Sequence, residues 1–265
     1  MPHLTARGRV EALRSVRALA VQVIDSLTPQ EWASASAAEG WTVHDVVAHM
    51  SSTQRELFGP LMFMVARSND IEALNETPVK ARRRWPDARV AAEYRRWAPR
   101  GHRLLKLTQL PGLGSVPVPM AELGRFPVRV LPSAIAFDTH THLYHDIAPV
   151  LARPLPPPDP SVIAATLEWM MLVAAAMGSD LPLPEGTAVR FAFTGPGGSE
   201  WTLRRTKGTV IAEPDPGCVV AGTLAGAAAD FPAWCTHRKS WRDVELRLSG
   251  EEDLVTAVVD GLRVV

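Results

Sequence analysis

Residues 152–161 read ARPLPPPDPS, a ten-residue stretch in which every second position on average is proline. Proline fixes φ near −65° and has no backbone donor, so such a run cannot continue a helix or enter a central strand. Consecutive prolines instead favour an extended, semi-rigid polyproline conformation. No compact element can cross this segment. The expected organisation is therefore a first domain over residues 1–152, a proline-rich linker at 153–161 and a second domain over 162–265.

The two sides of the linker differ in texture. On the first side the apolar residues recur at helical spacing. Residues 4–27 place Val10, Leu13, Val16, Leu19, Val23 and Ile24 on one face. Residues 40–65 begin with Thr42 and Asp45, a cap followed three positions later by a carboxylate that can reach back to it. Further helices are expected over 87–108 and from about 133 to 151, separated by a loop rich in Pro and Gly. Four long helices form a bundle, whose interior is a usual place for a metal or cofactor. Beyond the linker, one helix at 161–177 precedes the strand-like runs 188–195, 200–208 and 209–214. A helical stretch at 226–237, a strand at 243–250 and a short helix at 251–262 complete a small α+β domain.

The charge balance excludes one class of partner. Lys+Arg and Asp+Glu are equal at 28 each, so no field draws nucleic acid or an acidic membrane surface. The longest apolar run, around 168–178, is too short to span a bilayer and contains Glu168. The first residues lack a secretory core, and two cysteines make no disulfide framework, so a cytoplasmic setting is expected. Cys218 and Cys235 read as core or near-core residues rather than nucleophiles.

The chemistry concentrates in AFDTHTHLYHDI, residues 136–147, which holds Asp138, His140, His142, His145 and Asp146 in a chain with 8 histidines. On an α-helix Asp138, His142 and Asp146 stand at i, i+4 and i+8 and share one stripe. His145 lies close to that stripe and His140 points away from it. An Asp-x-x-x-His pair offers two ligands from successive turns, which leaves a divalent ion short. His49, two turns into the second helix in an apolar neighbourhood, can supply the third. Three protein ligands with an open position is the form of a catalytic site. The same residues also fit a polar helix face with a satisfied core histidine, and spacing alone leaves both readings open.

The motifs carry a resemblance that bears on this choice. WTVHDVVAHM, with Trp41, Asp45 and His49, resembles the second-helix signature W-x-x-x-D-x-x-x-H of the DinB-like, mycothiol-dependent maleylpyruvate isomerase family. AFDTHTHLYHDI resembles that family's later helix, where an acidic residue and a His four apart complete a metal site; these map to Asp138 and His142, with Asp146 in a following acidic position. The resemblance implies a DinB-like four-helix bundle followed by a sterol carrier-like α+β domain, with His49, Asp138 and His142 as metal ligands. One position departs from it. The isomerase type carries Glu where this chain has Asp138, one methylene shorter, so either the helix sits closer to the ion or a water bridges the gap.

What the resemblance implies chemically is a divalent ion, zinc first and Fe²⁺, Ni²⁺ or Mn²⁺ as alternatives for imidazole and carboxylate ligands. A low-molecular-weight thiol, mycothiol, would add to a small electrophilic substrate bearing a carboxylate or an enone, giving isomerisation or S-transfer. Arg238, with Arg242 second, best matches an arginine that the family carries near the end of the corresponding helix of its C-terminal domain, and would pair with a substrate or cofactor carboxylate. Two other readings stand beside this one. A metal-dependent hydrolase or cyclase would work without thiol, and a non-catalytic protein would hold a small ligand. A monomer or homodimer, with no nucleic-acid or membrane partner, fits each.

Overall fold

The computed structural model describes residues 4–59, 71–214 and 217–264. These divide into two compact units, Val10–Pro157 and Met1–Arg9 with Pro158–Val265. The passage between them falls inside the proline run. Residues 4–9 cluster with the second unit, where the buried Arg9 guanidinium bonds Glu168, Nε to Oε2 at 2.8 Å.

In the unit Val10–Pro157 the long helices are α1 (Ala6–Ser26, most of it), α3 (Val43–Glu56), α5 (Asp87–Leu107) and α6 (Leu131–Thr141), with short α2 (Pro29–Ala33) and α4 (Ile71–Lys80) between them. The apolar stripe read in α1 is the buried one at Leu13, Val16, Val23 and Ile24. Leu13 meets Leu105, Leu131 and Ile135 in one core cluster. The α3 start forms as its sequence dictates: Thr42 Oγ1 accepts from Asp45 N–H, and Asp45 Oδ2 accepts from Thr42 N–H, each at 3.2 Å. Residues 60–65, expected to prolong this helix, lie outside the described residues.

Two features differ from the sequence reading. The loop after α5 contains a small antiparallel pair, β1 (Pro117–Pro119) with β2 (Arg125–Pro127). Proline is tolerated there because such an edge needs few ladder donors. Helix α4 also appears, followed in the next turn by Arg82, whose buried guanidinium bonds Glu93 at 2.6 and 2.9 Å and the Pro78 carbonyl at 2.8 Å. That pair clamps α4 to α5 across a tight turn. Pro78 inside the segment is what hid this helix from a periodicity reading.

In the other unit, α7 (Pro160–Ala176) is capped by Asp159, with Pro160 at its first position. Apolar nearly all round, it is buried on most of its faces. The sheet has strand order β5-β4-β3-β6-β7, built from Ala188–Thr194 (β3), Glu200–Thr206 (β4), Thr209–Pro214 (β5), Gly222–Ala227 (β6) and Arg247–Gly250 (β7). Only β3 and β6 run parallel. The β4–β5 hairpin turns through Lys207 (φ 51°) and Gly208 (φ 75°), the positive-φ pair that a two-residue turn requires. The helix expected over 226–237 shortens to α8 (Phe231–Cys235), because β6 extends through Ala227 alongside β3. Helix α9 (Glu252–Gly261) ends the unit. The architecture is the expected one, a helical bundle followed by a small α+β domain. Among the described residues no helix is long and apolar enough to cross a membrane.

Candidate metal centre

Helix α6 does not end cleanly. After Thr141 the chain continues through His142–Ile147 in π-helical geometry, then one 3₁₀ turn, Ala148–Val150. The wider turn, closing i to i+5, redistributes the side chains that an α-helix would have placed. His142 and Asp146 remain together, Nδ1 to Oδ2 at 2.7 Å, with Asp146 fully buried. His145, expected near the Asp138–His142 stripe, is instead beside His140, the rings 5.9 Å apart and nearly perpendicular. The π turn is the physical reason, since residues five apart then approach one another.

His49 reaches the same point from α3. Its Nε2 lies 3.0 Å from Asp138 Oδ1, and His142 Nε2 lies 3.6 Å from that oxygen. One ligand atom from each of the three residues falls within 4.8 Å of the others. His49 is buried, the His142 side chain nearly so, and the Asp138 side chain is one quarter exposed.

Three observations test whether these residues suit an ion. A tetrahedral ion about 2.0–2.1 Å from each donor needs donors about 3.3 Å apart, and the two measured separations fall on either side of that value. Asp138 Oδ2 is buried with no hydrogen-bond partner among the described residues, an acceptor left for a cation or a donor. Asp146 Oδ2 lies 2.7 Å from His142 Nδ1, placed to accept a proton from it and leave Nε2 facing Asp138. A carboxylate behind a ligating imidazole is the usual support of a metal histidine. The residues fit.

The electrostatics agree. Burial works to raise the Asp138 carboxyl, but the charge of His49, the pairing with His142 and the hydrogen bond from His49 hold it well below the usual carboxylate range. Burial works to lower His142, yet its pairing with Asp138 and its hydrogen bond to Asp146, together with their charges, push it up to about 9. Two carboxylates thus make a pocket that demands positive charge. His140 shows the opposite: burial and the His145 charge bring it down to about 3.

The remaining expected residues lie in the other unit. Arg238 and Arg242 are exposed in the segment after α8. Arg242 is held by Asp260 through two hydrogen bonds of 2.9 and 3.0 Å and lies over the Trp241 ring, 4.2 Å from its centroid. Cys235 is buried, and burial pushes its thiol well above the ordinary value; Cys218 is half-buried.

A helical bundle in which two imidazoles and a carboxylate from two helices converge, joined in sequence to a small α+β unit, is a candidate metal-site bundle. Residues 13–148 match the mycothiol maleylpyruvate isomerase N-terminal domain, and the chain belongs to that family. Among solved structures it is similar to a mycothiol-dependent maleylpyruvate isomerase, with a TM-score of 0.60, 12% identity, and coverage of 94% of this chain and 96% of that one. A histidine-to-alanine variant of a mycothiol-dependent maleylpyruvate isomerase matches with the same TM-score and 13% identity. At that identity the likeness speaks for the fold. A search of curated proteins finds no match.

Proposed function

We propose that this protein is a metal-dependent enzyme that uses a low-molecular-weight thiol, mycothiol, for isomerisation or S-transfer on a small electrophilic substrate. The convergence of His49, Asp138 and His142, with Asp146 behind His142, carries the reading in a chain of this family. The ion, zinc first among the divalent candidates, would lower the pKa of a thiol so that a nucleophile exists at neutral pH. His49 and Asp138, from separate helices, would hold the ion together with His142, which Asp146 orients. Arg238 is assigned, with Arg242 second, to orient a substrate or cofactor carboxylate.

The test is thiol dependence. Zinc- or cobalt-loaded protein should isomerise a cis-enone acid of the maleylpyruvate type only when mycothiol is present, and His49→Ala should abolish this. Addition of mycothiol to the cobalt form should give a sulfur-to-metal charge-transfer band, present also in Arg238→Ala, whose defect should be in KM for the acid. Asp138→Glu should keep the band. Activity that needs metal but ignores thiol would replace this reading with a hydrolase or cyclase. Absence of both metal and activity would leave a ligand-binding protein.

A further inference from the structure

The two histidines of the metal centre are not held in the same way. His142 has a carboxylate behind Nδ1. His49 Nδ1 is buried and has no hydrogen-bond partner among the described residues, so its ring plane is fixed by packing. The ring against it, apart from His142 itself at 4.7 Å, is Trp41, whose centroid is 5.3 Å from that of His49. The same indole stacks on His142 at 6.3 Å with planes 24° apart. It touches both ligands.

The indole is itself anchored. Trp41 Nε1 donates to Glu76 Oε2 at 2.9 Å. Glu76 Oε1 pairs with Arg83 at 3.0 Å, and Arg83 Nε bonds Asp45 Oδ1 at 3.1 Å. Asp45 Oδ2 caps α3 at Thr42, the residue next to Trp41, so the contacts close into a ring around the start of the helix that carries His49. The loop bearing Trp41 is also tied to the π turn, where Ala37 N–H donates to the Asp146 carbonyl at 3.0 Å.

We propose that Trp41, anchored through Glu76, is a positioning residue of the metal centre, doing for His49 by ring packing what Asp146 does for His142 by hydrogen bonding. The inference rests on the metal-centre reading. An imidazole whose far nitrogen bonds nothing can rotate about its Cβ–Cγ bond, and a small rotation aims the Nε2 lone pair away from the ion. The indole blocks that rotation on one face, and Glu76 stops the indole from moving aside. The half-buried position of Trp41 places it beside the site rather than in the interior.

Cobalt titration of the full chain tests this, reading affinity and the visible spectrum at saturation, with the thermal midpoint of the metal-free protein as a control on folding. Trp41→Ala should bind Co²⁺ roughly 10- to 100-fold more weakly and shift the saturated ligand-field bands, because the His49 bond direction is no longer fixed. Trp41→Phe, which keeps a ring, should recover part of the affinity. Glu76→Leu, which keeps the indole and removes its anchor, should fall between wild type and Trp41→Ala. A folded Trp41→Ala with wild-type affinity, or one with weakened affinity and an unchanged saturated spectrum, would overturn the proposal and leave Trp41 a packing residue. If Trp41→Ala does not fold, Glu76→Leu decides by the same two readouts. A wild-type protein that binds no Co²⁺ overturns the metal centre itself, a different result from an indifferent variant.

Discussion

Two histidines two residues apart, His140 and His142, belong to one helix and meet opposite fates. His142 stands between Asp138 and Asp146, and the two carboxylates push its pKa up to about 9. His140 is buried, packs its ring against Tyr144 at 4.7 Å and His145 at 5.9 Å, and has neither ring nitrogen hydrogen-bonded among the described residues. With no carboxylate to offset burial, its pKa drops to about 3. The same side chain is therefore a charge-seeking ligand on one face and a neutral packing group on the other. Burial sets the cost of charging an imidazole, and the neighbour decides whether that cost is met.

The sharpest way to break this contrast is to delete each ring in turn and measure bound metal. His49→Ala and His142→Ala should each lose more than about 100-fold in zinc or cobalt affinity, since removal of a ligand exceeds the 10- to 100-fold typical of its supporting partner. His140→Ala should keep one ion per chain by elemental analysis. Equal losses in all three would place the ion elsewhere in the helix. Next in size is the support of His142: Asp146→Ala should weaken metal binding about 10- to 100-fold while His142 still ligates. An unchanged affinity would show that the helix alone orients the ring.

A third histidine extends the comparison beyond the site. His102 on α5 is brought down to about 3 by burial and by the charge of Arg17. Its folded pKa lies below its unfolded value near 6.5, so above that pH it has no effect on stability. As the pH falls from about 6.5 towards 3, the unfolded chain takes a proton that the folded chain refuses, and stability is lost. The steepest slope is about 1.4 kcal/mol per pH unit. Denaturant melts of His102→Gln between pH 7 and 4 should show a shallower acid limb than wild type. Parallel limbs would mean that His102 is solvated in the folded protein.

The smallest effect expected is on His140 itself. Its two nitrogens, without a partner among the described residues, cost stability, so His140→Phe should raise the thermal midpoint by about 2–4 °C, corresponding to about 1 kcal/mol, without altering metal content. A loss of several degrees would mean that water or another group satisfies the imidazole.

Much of this molecule was written in the sequence. The proline run 152–161, the capping pair Thr42 and Asp45, the apolar stripe of α1 and the strand-like runs of β3 to β5 are local patterns, and local backbone chemistry forms them as read. The three residues that converge were singled out in the sequence by an i, i+4 pair on one helix and a deep histidine on another, but spacing alone left a polar helix face equally open, and it was the resemblance that joined them into one site. What only the tertiary structure decided are the pairings across distance and the one departure from regular helix. Asp138 meets His49 across 89 residues and Trp41 meets Glu76 across 35, separations that no periodicity window spans. The π turn at His142–Ile147 moved His145 away from the metal stripe and beside His140, although its residues are those of an ordinary helix. Arg9 joins Glu168 across 159 residues and ties the start of the chain to the unit beyond the linker. A residue's own neighbours in sequence set its backbone, but the charge and packing that give a histidine its chemistry come from whatever the fold brings opposite it.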